Sequence, residues 1–306
     1  MRASERSYDP ALSSVMKRLG NAAAGHDLST LQGMRAFIDT FGSSYPIPAD
    51  IRFDPVDANW GKGEWVTCES SANTPTVLHL HGGGFCAGSI VSYRRLAADL
   101  AIETNGRVLI VDYRRGPEHP FPAAVEDCVA AYRWLVYGGI SPKNIVVSGD
   151  SAGGGLVLSL MLSLKERGDP QPACGICMSP WVDLQCQSKT MDTKATEDPL
   201  GTRESLLFMA DQYLAGADPR NPLASPLYGN LADLPPVLIQ VGSREILLDD
   251  SRILAKRAAA AGMEVTLEEW KGMIHVFQMM ADDLEDGPKA FQHIHRFVHE
   301  HTQNIG

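Results

Sequence analysis

Asn144-Ile-Val-Val-Ser-Gly149-Asp150-Ser151-Ala152-Gly153, running on into the apolar stretch Leu156–Leu164, decides the reading of this 306-residue chain. Residues 144–148 have the β-branched apolar character of a buried strand, and Leu156–Leu164 continues as an apolar helix. Between them stands Gly-x-Ser-x-Gly, the sequence of a sharp strand-to-helix turn. Such a turn strains the backbone of its serine, and only glycine two residues before and after lets strand and helix pass that closely. The Ser151 hydroxyl is thereby pushed out above a sheet, at a helix N-terminus whose dipole favours developing negative charge. A phosphate loop would end in Gly-Lys-Ser/Thr, and a dinucleotide turn would read Gly-x-Gly-x-x-Gly near the first strand. Neither is present. The plain alternative is a glycine-rich turn that only packs a helix on a strand.

Further motifs lie on either side. Upstream, His81-Gly82-Gly83-Gly84-Phe85 follows another buried strand, and bare glycine amides there can point into a cavity. The backbone N–H groups of Gly83, Gly84 and Ala152 are the candidate donors to an oxyanion; His81 reads as structural, holding its loop by a hydrogen bond. Downstream, His275 sits in Gly272-Met-Ile-His275-Val-Phe277 after the last expected strand. The chain order serine, acid, histidine places a general base there. The other histidines fall in helix, strand or surface contexts, and His293, His295, His299 and His301 are spaced as a solvated helix face rather than a metal site. The acid should follow the preceding strand, where Gly242-Ser-Arg-Glu245-Ile-Leu-Leu-Asp249-Asp250 offers three carboxylates. Glu245 is nearest the strand end and is the favoured partner of His275. Asp249 is the alternative, and both aspartates also read as helix N-terminal charge.

Apolar β-branched runs separated by helical patterns indicate an α/β protein with a mostly parallel sheet flanked by helices. Eight strands are expected, at Ile51–Val56, Glu64–Glu69, Thr76–His81, Arg107–Tyr113, Asn144–Gly149, Ala173–Met178, Pro236–Val241 and Glu264–Trp270. The first two alternate in character and read as an antiparallel edge hairpin turning around Gly61 and Gly63; the other six should run parallel. Leu31, Met34, Phe37, Ile38 and Phe41 recur at helical spacing over residues 28–42, and Asp9-Pro10 starts a shorter helix. In the irregular stretch Asp183–Pro235, Thr202 is a candidate N-cap for a helix through Leu206, Met209 and Tyr213. The expected division is therefore residues 1–50 as N-terminal cap helices and 51–306 as a catalytic domain, with a cap insertion at about 184–230. Met34, Phe37, Phe208, Met209 and Tyr213 are candidates for a pocket wall beneath this lid.

Bulk properties narrow the classes. A net charge of −10 leaves no basic surplus to neutralise phosphates, which argues against a nucleic-acid partner. The polar segment Met1–Pro10 lacks the apolar stretch of a secretory signal, and Leu156–Leu164 is too short to span a bilayer, so a cytoplasmic protein is expected. Of six cysteines, only Cys174 and Cys177 form Cys-x-x-Cys, within the apolar ACGICMSPW, which reads as a buried strand rather than a redox or zinc site. No metal or cofactor is called for. Exposed edge strands and C-terminal helices in such folds can support a homodimer.

With these motifs together, the chain resembles the bacterial hormone-sensitive-lipase-type esterases over roughly residues 50–306. The matches are His81-Gly-Gly-Gly-Phe85, Asp112-Tyr-Arg-Arg-Gly-Pro-Glu-His-Pro-Phe-Pro122, Gly149-Asp-Ser-Ala-Gly-Gly154, Ser179-Pro-Trp-Val-Asp183 and Gly272-Met-Ile-His275. The resemblance implies the α/β-hydrolase fold, with nucleophile, base and oxyanion glycines at Ser151, His275, Gly83 and Gly84. It also implies an N-terminal cap around the acyl pocket. The substrate implied is a small-molecule ester with a short or medium acyl chain, cleaved through an acyl-enzyme. One departure stands out: the acidic position usually reads Asp-Pro-Leu-x-Asp, and here it reads Glu245-Ile-Leu-Leu-Asp249. Two other readings compete. One keeps the same triad for a lactone, carbamate or amide, because the pocket decides the substrate. The other is a non-catalytic receptor on this fold, as in plant gibberellin receptors, which typically lack the histidine that His275 supplies.

Overall fold

A computed structural model describes residues 10–69, 71 and 74–302. Its centre is one eight-stranded sheet in the order β1-β2-β4-β3-β5-β6-β7-β8. The strands are β1 (Ile51–Ala58), β2 (Gly61–Cys68), β3 (Thr76–Leu80), β4 (Arg107–Asp112), β5 (Ile145–Asp150), β6 (Cys174–Met178), β7 (Val237–Gly242) and β8 (Val265–Trp270). The helices are α1 (Pro10–Ala23), α2 (Leu31–Gly42), α3 (Ile90–Glu103), α4 (Ala123–Tyr137), α5 (Ala152–Arg167), α6 (Thr190–Thr193), α7 (Arg203–Leu214), α8 (Leu248–Ala260) and α9 (Asp286–His301).

Strands β3 to β8 run parallel, and β2 pairs antiparallel with both β1 and β4. Every residue of β3, β5, β6 and β7 is buried. Continuous burial follows from helices on both faces, and it explains why these strands read as unbroken apolar runs. One face packs through Leu78, Val147 and Ile239 with Leu135, Leu156, Leu160 and Leu254 of α4, α5 and α8. The other packs through Val77, Ile176 and Leu238 with Leu96, Leu100, Phe291 and Ile294 of α3 and α9. Helix α5 is buried from Ala152 to Leu164 and forms a fixed platform. Truncating a leucine there to alanine costs roughly 2–5 kcal/mol. Cys174 and Cys177 lie in β6, and all six cysteine side chains are buried.

The order of the strands positions the site. Leu80 pairs with Gly149, and Asp150 with Met178, so the loops leaving the C-terminal ends of β3, β5 and β6 emerge side by side. The fold otherwise departs from the sequence reading at three points. The hairpin turns at Asn59-Trp60, while Gly61 and Gly63 already pair with Ala58 and Val56. Gly63 is a strand residue without a side chain because a Cβ would meet Ile110 O of β4 and the Trp60 ring. Helix α2 begins at Leu31, not 28, because the Thr30 side chain accepts the Gly33 N–H and caps it; Ser29 is tied to Asp27 in the preceding turn. Helix α1, expected to be the shorter, has 14 residues against 12. Asp9 lies outside the described residues.

Helices α1 and α2 rest on the segment that follows β8, where Leu12, Val15, Leu19, Phe41 and Tyr45 pack with Ile274, Phe277 and Met280. Arg18 and Tyr45 both reach Asp283 in that segment, at 2.8 and 2.9 Å. Arg35 of α2 spans to the core domain, donating to Cys86 O at 2.7 Å and to both carboxylate oxygens of Glu118. Thr202 caps α7, accepting from Ser205 N. At the outer edge, β1 pairs among the described residues only with β2 and carries Pro55 at mid-strand. Among the described residues no helix is long and apolar enough to cross a membrane.

Candidate active site

Ser151 joins β5 to α5 with φ +52° and ψ −121°, a conformation that a non-glycine residue adopts at a cost on the order of 1–3 kcal/mol. The surroundings hold it there. Ser151 N donates to Met178 O at 2.8 Å, and Trp181 N donates to Ser151 O at 2.9 Å. A Cβ at Gly153 would overlap Leu80 O, and one at Gly149 would overlap Gly153 O. The two glycines therefore let β3, β5 and α5 meet backbone to backbone.

His275 Nε2 lies 3.0 Å from Ser151 Oγ, and His275 Nδ1 lies 3.0 Å from Glu245 Oε2. Burial pushes the imidazole pKa down, but the hydrogen bond and charge of Glu245, with the charges of Asp198 and Asp150, leave it raised above its ordinary value. Glu245 is fully buried. Its Oε1 accepts from Ser179 Oγ at 2.8 Å and from the Gly242 amide. Of the three carboxylates offered by the sequence, only Glu245 meets His275. Asp249 sits in the first turn of α8, bonded to Arg252 at 3.2 Å, and Asp250 accepts from Val182 N at 3.3 Å.

The glycine loop after β3 stands beside Ser151. Gly83 and Gly84 have φ of +109° and +61°, and a Cβ on Gly83 would overlap Ala87 O. The loop is moored from below: Gly82 N donates to Asp150 Oδ1 at 3.0 Å, and Tyr93 OH donates to Asp150 Oδ2 at 2.8 Å. Burial pushes Asp150 up to about 7. His81 is buried and bonded through Nδ1 to Gly82 O at 2.8 Å, with its ring stacked on Tyr113. Burial lowers its pKa to about 3, so it is neutral and braces the loop. Ala152 is the first residue of α5, where a backbone N–H has no acceptor within the helix.

Ser151, His275, Gly83 and Gly84 line one cavity of about 640 Å³. Its remaining wall is mostly apolar and comes from α1, α2, residues 198–209 and residues 276–280, with Leu28, Tyr93, Asp150, Ile246 and Leu247 completing it.

With the geometry in place, comparison with known proteins is direct. The family described as alpha/beta hydrolase fold matches residues 77–279. An acetyl-hydrolase of Streptomyces hygroscopicus is 43% identical, covering 83% of this chain and 83% of its own. An esterase of Acinetobacter venetianus is 36% identical over 87% of this chain and 88% of its own. The crystal structure of an esterase from the bacterial hormone-sensitive lipase family has a TM-score of 0.93 at 41% identity, covering 97% of this chain and 100% of that one. The chain belongs to this esterase family. It is a carboxylic ester hydrolase.

Of the pocket-wall residues read from the sequence of this esterase, Met34, Phe37 and Met209 line the cavity and two do not. Phe208, next to Met209 on α7, points outward and is 38% exposed. Tyr213 is fully buried, its ring stacked 4.2 Å from Phe85 and edge-on to Phe121, so it supports the glycine loop from behind. Sequence reasoning missed Met16, Leu19, Met279 and Met280 on the wall. It also missed Ser179. That hydroxyl donates to Glu245 and accepts from Val276 N at 3.0 Å, joining the acid to the residue after His275. The signal for it is the Ser179-Pro-Trp motif directly after β6.

Proposed function

We propose that this esterase hydrolyses short- to medium-chain acyl esters through an acyl-enzyme on Ser151, with His275 as general base and Glu245 as its orienting acid. One observation carries the reading: the continuous line Glu245–His275–Ser151, with 3.0 Å at both junctions, opens into the same cavity as Gly83 and Gly84. His275 Nε2 takes the Ser151 proton as Oγ attacks the acyl carbon. The carbonyl oxygen becomes an oxyanion, received by the amides of Gly83, Gly84 and Ala152. Collapse expels the alcohol, which takes the proton from His275. Water then repeats the sequence on the acyl-enzyme and releases the acid. Glu245 fixes the Nδ1–H tautomer and stabilises the imidazolium.

In this reading the described part of residues 1–50, from α1 onward, and the insertion at about 184–230 form a cap, and Met34, Phe37 and Met209 contact the acyl chain. The apolar wall supports a neutral substrate, and the relative named acetyl-hydrolase supports a short acyl group. The test is a p-nitrophenyl ester series from acetate to decanoate, paired with covalent labelling by a fluorophosphonate probe. Turnover peaking at or below octanoate, with probe mass on the peptide bearing Ser151, is expected. No labelling of Ser151 would overturn the nucleophile, and a preference for decanoate would overturn the chain length.

A further inference from the structure

Two side chains of the stretch between β6 and α7 grip a single peptide residue of the loop that carries Glu245. Asp198 Oδ2 accepts the N–H of Ile246 at 2.9 Å. Thr190 Oγ1 donates to the carbonyl of the same Ile246 at 2.7 Å and accepts from Asp249 N at 3.0 Å. The other oxygen of Asp198 accepts from Leu200 N at 3.0 Å, so the carboxylate is fastened at both ends. Asp198, Thr190 and Ile246 are all buried.

The position matters because Ile246 directly follows Glu245. A proline at this position would have φ fixed by its ring and no N–H to satisfy. Isoleucine leaves φ free and adds a donor, and a buried donor left without a partner is destabilising. Asp198 supplies that partner, and Thr190 holds the other face of the residue. We infer that Asp198 and Thr190 are positioning residues for ester hydrolysis, clamping Ile246 so that the longer glutamate side chain meets His275. This rests on the proposed roles of Ser151, His275 and Glu245.

The clamp also bears on charge. His275 faces three carboxyl groups: Glu245 after β7, Asp198 from the insertion, and Asp150 at the end of β5. Next to them in sequence, Arg244 and Glu197 lie 4.0 Å apart. Removing the negative charge of Asp198 takes away one of the groups that favour the imidazolium.

The experiment is steady-state kinetics of the full chain with p-nitrophenyl butyrate across a pH series. Glu245→Gln serves as the reference for the triad itself. In Asp198→Asn the amide oxygen can accept from only one of the two N–H groups. The expected result is a fall in kcat of about tenfold with KM held within about twofold, and an acidic limb of kcat/KM displaced to lower pH. In an Ile246→Pro background the donor is gone and φ is fixed, so Asp198→Asn should cost less than about threefold in kcat. Thr190→Val, which keeps shape and removes both hydrogen bonds, should lower kcat in the same sense and serves if Asp198→Asn fails to fold. An Asp198→Asn penalty equal in both backgrounds would overturn the clamp, as would unchanged kcat in Asp198→Asn and Thr190→Val. If Glu245→Gln itself keeps wild-type kcat, it is the triad assignment that falls.

Discussion

The turn that carries Ser151 and the cavity wall that faces it are built by opposite means. At the turn, backbone meets backbone: Gly149, Gly153 and Leu80 O leave no room for one more carbon, and α5 behind them is buried over three turns. On the wall, the flexible thioethers of Met16, Met34, Met209, Met279 and Met280 stand among aliphatic and aromatic side chains such as Phe37 and Leu19. Methionine fills irregular space and repacks easily. In the proposed reading, the chemistry is thus held by contacts that tolerate no change, and substrate choice by contacts that do. The first kind leaves a fixed signature in the sequence and the second leaves almost none.

The sharpest way to break this contrast is Ser151→Ala. With the hydroxyl gone and the turn intact, kcat on p-nitrophenyl butyrate should fall by about 10⁴-fold or more, while the melting temperature stays near wild type. Gly153→Ala attacks the turn itself. Its methyl would overlap Leu80 O, and unfolding in urea should reveal a destabilisation on the order of 3 kcal/mol, far above a surface substitution.

The acid comes next. Glu245→Gln should lower kcat by roughly a hundredfold or more, whereas Asp249→Asn should stay within about threefold. The same comparison has a pH counterpart. As the proposed general base, His275 must be neutral to accept the Ser151 proton, so kcat/KM should fall as pH drops through its pKa. Because the carboxylates raise that pKa, the wild-type midpoint should lie above the ordinary imidazole value of about 6.5 and move down in Glu245→Gln. The smallest effect belongs to the wall. Met209→Ala should alter the octanoate-to-butyrate ratio of kcat/KM by about tenfold, and Phe208→Ala, which faces outward, by less than about twofold.

This division explains what could be read in advance. Eight strands, the parallel run and the placement of Ser151, His275, Gly83 and Gly84 were legible because buried strands and glycine-forced turns have local signatures. Glu245 and Asp249 could only be ranked, since they lie about one helical turn apart and the choice depends on which side chain reaches across to His275. Ser179, Thr190 and Asp198 escaped notice because each acts on a backbone far along the chain; no local spacing encodes a bond from Asp198 to Ile246. Helicity on α7 was plain from Leu206 to Leu214, yet the face it turns to the cavity was not, because Met209 and Tyr213 share one stripe and are divided between cavity and core.

Pro55 has a consequence for molecules in a crowd. Among the described residues the outermost strand β1 is paired on one side, and on the other a ring nitrogen in the middle of it cannot donate to an extended chain that arrives. Charged Arg52, Asp54 and Asp57 surround the gap. An incoming strand would meet a missing rung between like and unlike charges, which disfavours templated growth of fibrils from this side.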